Sequence, residues 1–358
     1  MTQFLFMFTL SCFTFLYLYW GFTHLTQERL QFFAAIPHRK QSHGSWRGVN
    51  FTWYGLLSAN SVLLSAALFM TLASAVGVPS LYALLLLLIL LGALFPSARW
   101  IAKRVEKKRH TFTIGGAVFA GMLMAPSLIF LLNRVLPWMT GFSYPAIETL
   151  SALSLAYTFG ESLGRLSCIS FGCCYGKPVS ESPALFHNFF QDHNFIFSGQ
   201  TRKACYASHL DGVKTIPIQA VTSVIYAISA LLGLLLFLIG LPQWALFETL
   251  IITQLWRLVS EFFREDFRGK EGFSAYQAMA SIAVLFTLLM LPFFPTCRFL
   301  HPDITIGLLS LWRPLIILTL QSLWIATFIY MGRSTITFSL LSFHVNDDFD
   351  KSNPPQSP

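Results

Sequence analysis

Apolar residues fall in long, barely interrupted blocks along this chain, and the blocks fix its class before any motif does. A helix crosses a bilayer with about 20 mostly apolar residues. Runs of that kind occupy 4–22, 52–76, 81–98, 115–136, 146–171, 219–240, 244–263, 275–294 and 304–331. The pattern predicts an all-α polytopic integral membrane protein with about nine transmembrane helices. The first run has no basic residue ahead of it and no small-x-small cleavage site before Arg29, so it reads as a retained anchor rather than a signal peptide. One internal connection is long, from Cys173 to Ile216. Loops beyond about 15 residues are usually functional or disordered, and this one is expected to lie over the face that carries the active site. Residues 344–358, rich in Asn, Asp, Ser and Pro, read as a disordered tail.

Composition removes the soluble classes, since 54% of residues are hydrophobic and only 11% are charged. The net charge of +8 comes from basic residues that flank the apolar runs. Anionic lipid head groups are the nearer partner there, and nucleic acid is not one. Alternating crossings put 23–51, 99–114, 172–218, 264–274 and the C-terminal tail on one face, and 77–80, 134–145, 241–243 and 295–303 on the other. The first face carries nearly all the loop lysines and arginines, the second only Arg134 and Arg298. By the positive-inside rule the first face is cytoplasmic.

Four acidic residues lie in or beside the runs: Glu148, Glu161, Glu248 and Glu261. Glu161 precedes Arg165 by four positions and Arg257 precedes Glu261 by four, a spacing that shares a helix face. Self-neutralisation alone would account for both pairs. However, both arginines belong to helices that end on the same face, beside Arg264 and the start of the long loop. An arginine at membrane depth costs roughly 2.5 kcal/mol or more, and its planar, permanently charged fork holds two phosphate oxygens at once. Arg165, Arg257 and Arg264 therefore read as a receptor for a phospholipid head group that enters sideways from the bilayer.

The stretch Gly164-Arg165-Leu166-Ser167-Cys168-Ile169-Ser170-Phe171-Gly172-Cys173-Cys174-Tyr175-Gly176 resembles the signature of the bacterial prolipoprotein diacylglyceryl transferases, with matches at Gly164, Arg165, Leu166, Gly172, Tyr175 and Gly176. Trp256-Arg257-Leu258-Val259-Ser260-Glu261-Phe262-Phe263-Arg264-Glu265-Asp266 is similar to a second segment of that family. Weaker similarities are Trp53-Tyr54-Gly55-Leu56, Gly115-Gly116, Pro217-Ile218-Gln219 and Ser274-Ala275-Tyr276-Gln277. The resemblance covers a core at 51–296, with an additional N-terminal helix and basic linker at 1–50 and an additional C-terminal helix at 297–343. It implies transfer of the diacylglyceryl group of phosphatidylglycerol to the thiol of a lipobox cysteine in a prolipoprotein, with release of glycerol phosphate. It further implies no cofactor and a place in the bacterial cytoplasmic (inner) membrane. The roles implied are Arg165 and Arg257 on the lipid phosphate, Glu261 orienting Arg257, Arg264 adding to the field, and Tyr54 and Gln219 hydrogen-bonding the head group. Gly164, Gly172 and Gly176 shape the substrate-facing turn. The resemblance also puts the signature turn on the periplasmic side, against the charge rule. The family orientation is the one expected, because basic residues at an anionic-lipid site can serve function and the charge rule is a bias.

Several family positions are altered. Thr113 and Ile114 stand where the family carries a histidine proposed as base, with His110 nearby but off position. Ile216, Val221 and Thr222 replace a histidine, a tyrosine and a glutamate. Cys168 and Phe171 replace asparagines, and Cys173 a glutamate. These changes leave the proton acceptor unassigned and open two alternatives, a phospholipid-dependent transferase with another acceptor and a membrane lipid-binding or transport protein without enzymatic activity. The lack of repeated halves weighs against transport. If the loop face is oxidising, Cys173 or Cys174 could bridge to Cys205 and tether the loop; otherwise the three pack separately, reduced. The spacing Cys168-x4-Cys173-Cys174 lacks the paired Cys-x2-Cys of a structural zinc site, so no metal is expected. His187, His193 and His209 read as solvated loop residues.

Overall fold

The computed structural model describes residues 1–41, 44–105, 107, 113–182, 184–266, 272–290 and 301–343. His110, the end of the eighth apolar run and the tail at 344–358 lie outside the described residues. The chain runs through α1 (Thr2–His24), β1 (Phe32–Lys40), β2 (Trp46–Thr52), α2 (Trp53–Ala75), α3 (Ser80–Val105), α4 (Ile114–Thr140) and α5 (Ala146–Phe171). The long connection follows, with α6 (Ala184–Asp192), β3 (Phe195–Ile196), α7 (Lys203–Ser208) and β4 (Lys214–Thr215). Then come α8 (Ile218–Leu238), α9 (Pro242–Ser260), α10 (Ala275–Met290), α11 (Ile304–Ser310), α12 (Pro314–Gly332) and β5 (Arg333–Leu341).

The apolar runs are helical over most of their described length, and the protein is a helical, polytopic membrane protein. Among the described residues six helices, α1 to α4, α8 and α12, are long and apolar enough to cross a membrane. The ninth run is two helices rather than one. Asp303 caps α11 by accepting from the Thr305 and Ile306 amides, and Pro314, which has no N–H to continue a helix, opens α12.

Helix α5 is buried along most of its length, because small and hydroxyl residues on its neighbours bond its backbone. Ser61 and Ser65 of α2 donate to the Gly160 and Ala156 carbonyls, Ser223 of α8 to Ser162, and Ser154 meets Thr249 of α9 at 2.6 Å. Such close, hydroxyl-bridged crossings drive helix association where no hydrophobic effect operates.

A three-stranded antiparallel sheet in the order β1-β2-β5 joins the segment after α1 to the segment after α12. The apolar blocks did not anticipate it. Asn50 ties β2 to Thr337 and Ser339 of β5 through its side-chain amide. Thr52 accepts from the Gly55 amide and donates to the Gly332 carbonyl, so one residue caps α2 and holds the end of α12. At that crossing a Cβ on Gly55 would overlap the Gly332 backbone, whereas one on Gly332 would meet Phe51 and Phe328 ring carbons at 3.4 and 3.5 Å. Gly55→Ala is therefore expected to cost about 2 kcal/mol and Gly332→Ala almost nothing. Thermal unfolding in detergent checks the pair, and equal midpoints would refute the close approach.

The long connection packs against the ends of α1 and α5 through Arg202, which is fully buried. Its guanidinium donates to the carbonyls of Leu25 (3.1 Å), Gln27 (2.5 Å), Ile169 (3.1 Å) and Ser170 (2.8 Å). These carbonyls lie at two helix C-termini, where a cation is favoured; those of Gln27 and Ile169 also accept from the Leu30 and Gly172 amides. Burial pulls the Arg202 pKa down to about 10, so it stays charged at neutral pH. Arg202→Ala takes the side-chain donor from all four carbonyls and strands those of Leu25 and Ser170, and is expected to destabilise by about 3 kcal/mol, read as the loss of protease protection of the loop and a lowered unfolding midpoint.

Candidate functional site

Tyr157, Glu161 and Arg165 follow one another at four-residue intervals on α5, one stripe on the helix face turned to α9. Arg257, in the last turn of α9, reaches across to this stripe. Its Nη2 donates to Glu161 Oε2 at 2.7 Å, to Oε1 at 2.9 Å and to the Tyr157 hydroxyl at 3.1 Å. Arg165 Nη2 pairs with the same carboxylate, and the Tyr157 hydroxyl donates to it at 2.5 Å. Glu161, Arg165 and Arg257 are all buried, at 5%, 8% and 8% exposure, so bulk solvent screens their charges little. One carboxylate thus serves two guanidiniums, and the group retains one positive charge. The Nε atoms of Arg165 and Arg257 are buried without a hydrogen-bond acceptor.

The ion pair on Arg257 comes from Glu161 of the neighbouring helix, whereas helical spacing offers Glu261, which lies in the 3-10 turn that follows α9. Tyr157 was missed, although its spacing of four from Glu161 was visible. Gly115, at the start of α4, leaves room for the arginine: a Cβ there would stand 2.8 Å from Arg257 Nη1.

The two motifs meet at the same end of the bundle. Gly176 and Arg264 form an antiparallel bridge, the Lys177 amide donates to Phe263 (2.9 Å) and the Glu265 amide to Tyr175 (3.2 Å). Arg264 donates Nε and Nη2 to Asp266 at 2.8 and 3.0 Å, a two-pronged pair that commits much of its fork within this clamp. Gly176 is pressed against the Ile216 carbonyl and Gly164 against Ser61 of α2, so both serve packing. Gln219 donates to the Cys173 carbonyl at 2.9 Å, leaving its buried Oε1 without a donor. The Tyr54 ring stands edge-on to Phe171 at 5.7 Å and lies within electrostatic reach of Arg165, Cys168, Cys173 and Cys174.

The turn after α5 is a Schellman cap. Gly172, in the left-handed region at φ 68°, donates to Ile169, and Cys173 donates to Cys168. Cys168 and Cys173 occupy the two positions this motif brings into side-chain contact. Cys174 is also left-handed, at φ 56°, which is uncommon for a residue with a Cβ. The sulfurs of Cys168, Cys173 and Cys174 all lie within 4.8 Å of one another. The bridge to Cys205 does not form: none of the described cysteines is in a disulfide. Burial, then Asp211, pushes the Cys205 thiol up to about 11. The loop histidines do not converge: His187 bonds Ser182 and Gln191, His193 stacks on Phe189, and His209 caps α7. Thr113 stands at the buried start of α4.

The arrangement can hold a phosphate against two buried arginines beside a turn rich in thiols. No curated protein matches the chain at a significant level. The family model described as prolipoprotein diacylglyceryl transferase matches residues 45–293.

Proposed function

The chain belongs to the prolipoprotein diacylglyceryl transferase family, a transferase family of lipoprotein maturation, and from that premise we propose that it takes phosphatidylglycerol as donor and a lipobox cysteine as acceptor. The acceptor sulfur forms a bond to the terminal glyceryl carbon, the bond from that carbon to the phosphate oxygen breaks, and glycerol phosphate leaves with the electron pair. The observation that carries this reading is the Arg165–Glu161–Arg257 group, whose single residual positive charge matches a phosphodiester. The phosphate gains a second negative charge as it departs. Two guanidiniums fixed in a low-dielectric site stabilise that developing charge more than the ground state. We place the protein in the bacterial cytoplasmic membrane, with the site at the outer face where a secreted precursor arrives.

The test is transfer in proteoliposomes that contain labelled phosphatidylglycerol, with a lipobox peptide and its Cys→Ser variant read by mass. An adduct on the cysteine peptide alone is expected. The replacements at Thr113, Ile114, Ile216, Val221 and Thr222 favour a second reading, in which the donor is the same and the acceptor differs. Release of glycerol phosphate without an adduct would support that reading. Neither release nor adduct would leave a binding or transport role.

A further inference from the structure

We propose that Cys168, Cys173 and Cys174 hold a zinc ion whose fourth position takes the acceptor thiol. The inference rests on the transfer reading above and addresses its missing base. A tetrahedral zinc thiolate site has Zn–S bonds of about 2.3 Å, and hence sulfurs about 3.8 Å apart. The three sulfurs already lie within 4.8 Å of one another, so closing on an ion needs shifts of roughly an ångström. All three ligands are soft, which selects zinc or copper(I) over magnesium or calcium. Three protein ligands with an open fourth position is the arrangement of catalytic rather than structural zinc.

The surroundings fit a charged metal thiolate. Three thiolates on a divalent ion leave one negative charge. Arg165 lies within electrostatic reach of Cys168 and Cys174, Lys203 of Cys173 and Cys174, and Arg264 of Cys174. Each ligand is also held from behind: Cys168 by α5, Cys173 by the helix cap and by Gln219 on its carbonyl, Cys174 by its left-handed backbone. Cys168 is buried while Cys173 and Cys174 are half-buried, which leaves one side of the cluster open. A disulfide would use two of the sulfurs and explain neither the third nor the cations.

The chemistry balances without a histidine. The acceptor thiol coordinates and gives its proton to solvent, since a metal lowers the pKa of a bound thiol until it ionises. The resulting thiolate sulfur bonds the glyceryl carbon, the carbon–oxygen bond breaks, and the electron pair leaves on the phosphate held by Arg165 and Arg257. The thioether formed is a weak ligand and departs. The linear spacing argued against zinc only because it was compared with structural sites.

Full-length protein purified in detergent without chelator is the material for the test, with zinc measured by plasma mass spectrometry. About one zinc per chain is expected, with affinity falling at least tenfold in Cys168→Ser, Cys173→Ser and Cys174→Ser and unchanged in Cys205→Ser. Cobalt(II) in place of zinc should give thiolate charge-transfer absorption, shifted by the cysteine peptide and not by its serine variant. The unaltered chain decides even if the variants fail to fold. No zinc or cobalt bound, or a Cys168–Cys173 disulfide in the purified protein, overturns the site. Transfer that proceeds in metal-free protein overturns the site and leaves the transfer reading standing. Metal bound with the peptide-dependent shift but no transfer upholds the site and removes that reading.

Discussion

Glu161→Gln is expected to lower diacylglyceryl transfer at least ~100-fold, while Glu261→Gln stays within about threefold of the unaltered chain. Glu161 is the shared carboxylate of two buried arginines and accepts from Tyr157 as well. Glutamine keeps the shape and an acceptor oxygen but removes the charge. Two guanidiniums would then face each other in the bundle with no anion, and breaking a buried pair costs about 3–5 kcal/mol. At about 1.4 kcal/mol per factor of ten, that is roughly two to three and a half orders of magnitude if it falls on the active arrangement. Glu161→Asp keeps the charge on a shorter stem and should recover part of the loss. Transfer rates in proteoliposomes for the three variants check the assignment. A loss in Glu261→Gln equal to that in Glu161→Gln would return Arg257 to the partner inferred from helical spacing.

How much was legible in the sequence depended on whether a contact was local. The bounds of α5 match the apolar run at 146–171, and the Glu161–Arg165 pair was visible because helical spacing alone decides it. The Glu161–Arg257 pair could not be read, since it depends on how α5 and α9 face each other. The same spacing rule that found the first pair offered Glu261 for the second arginine, at the point where α9 gives way to a 3-10 turn.

The sheet was hidden for a related reason. Its strands β2 and β5 pair Phe51 with Arg333 and Trp46 with Leu341, across almost the whole chain. An exposed strand such as β1 shows no alternation of buried and exposed residues for a period-2 pattern to reveal. The break in the ninth run did leave a trace, because Arg313-Pro314 interrupts the apolar block at the point where α12 starts. The thiol cluster left none in linear spacing: a Schellman turn joins positions five apart, and the left-handed Cys174 adds a third sulfur that no period describes.

Arg257→Lys is expected to reduce transfer by ~10² to 10³ while the protein stays in the membrane and keeps its fold. Lysine retains the positive charge, so the ionic balance with Glu161 survives and a stability effect much smaller than that of Glu161→Gln follows. What it loses is the fork. Arg257 spends Nη2 on Glu161 and Tyr157 and still has Nη1 beside Gly115 and a buried Nε without an acceptor. A lysine ammonium is a single point of charge and cannot hold the carboxylate and a phosphate oxygen in fixed directions together. The deficit should fall mainly on kcat, because the arginine's worth lies in the second negative charge that the phosphate gains as it leaves. Steady-state transfer at varied phosphatidylglycerol separates the terms. A raised KM with unchanged kcat would make Arg257 a binding group only, and full activity would remove the two-arginine clamp from the reaction.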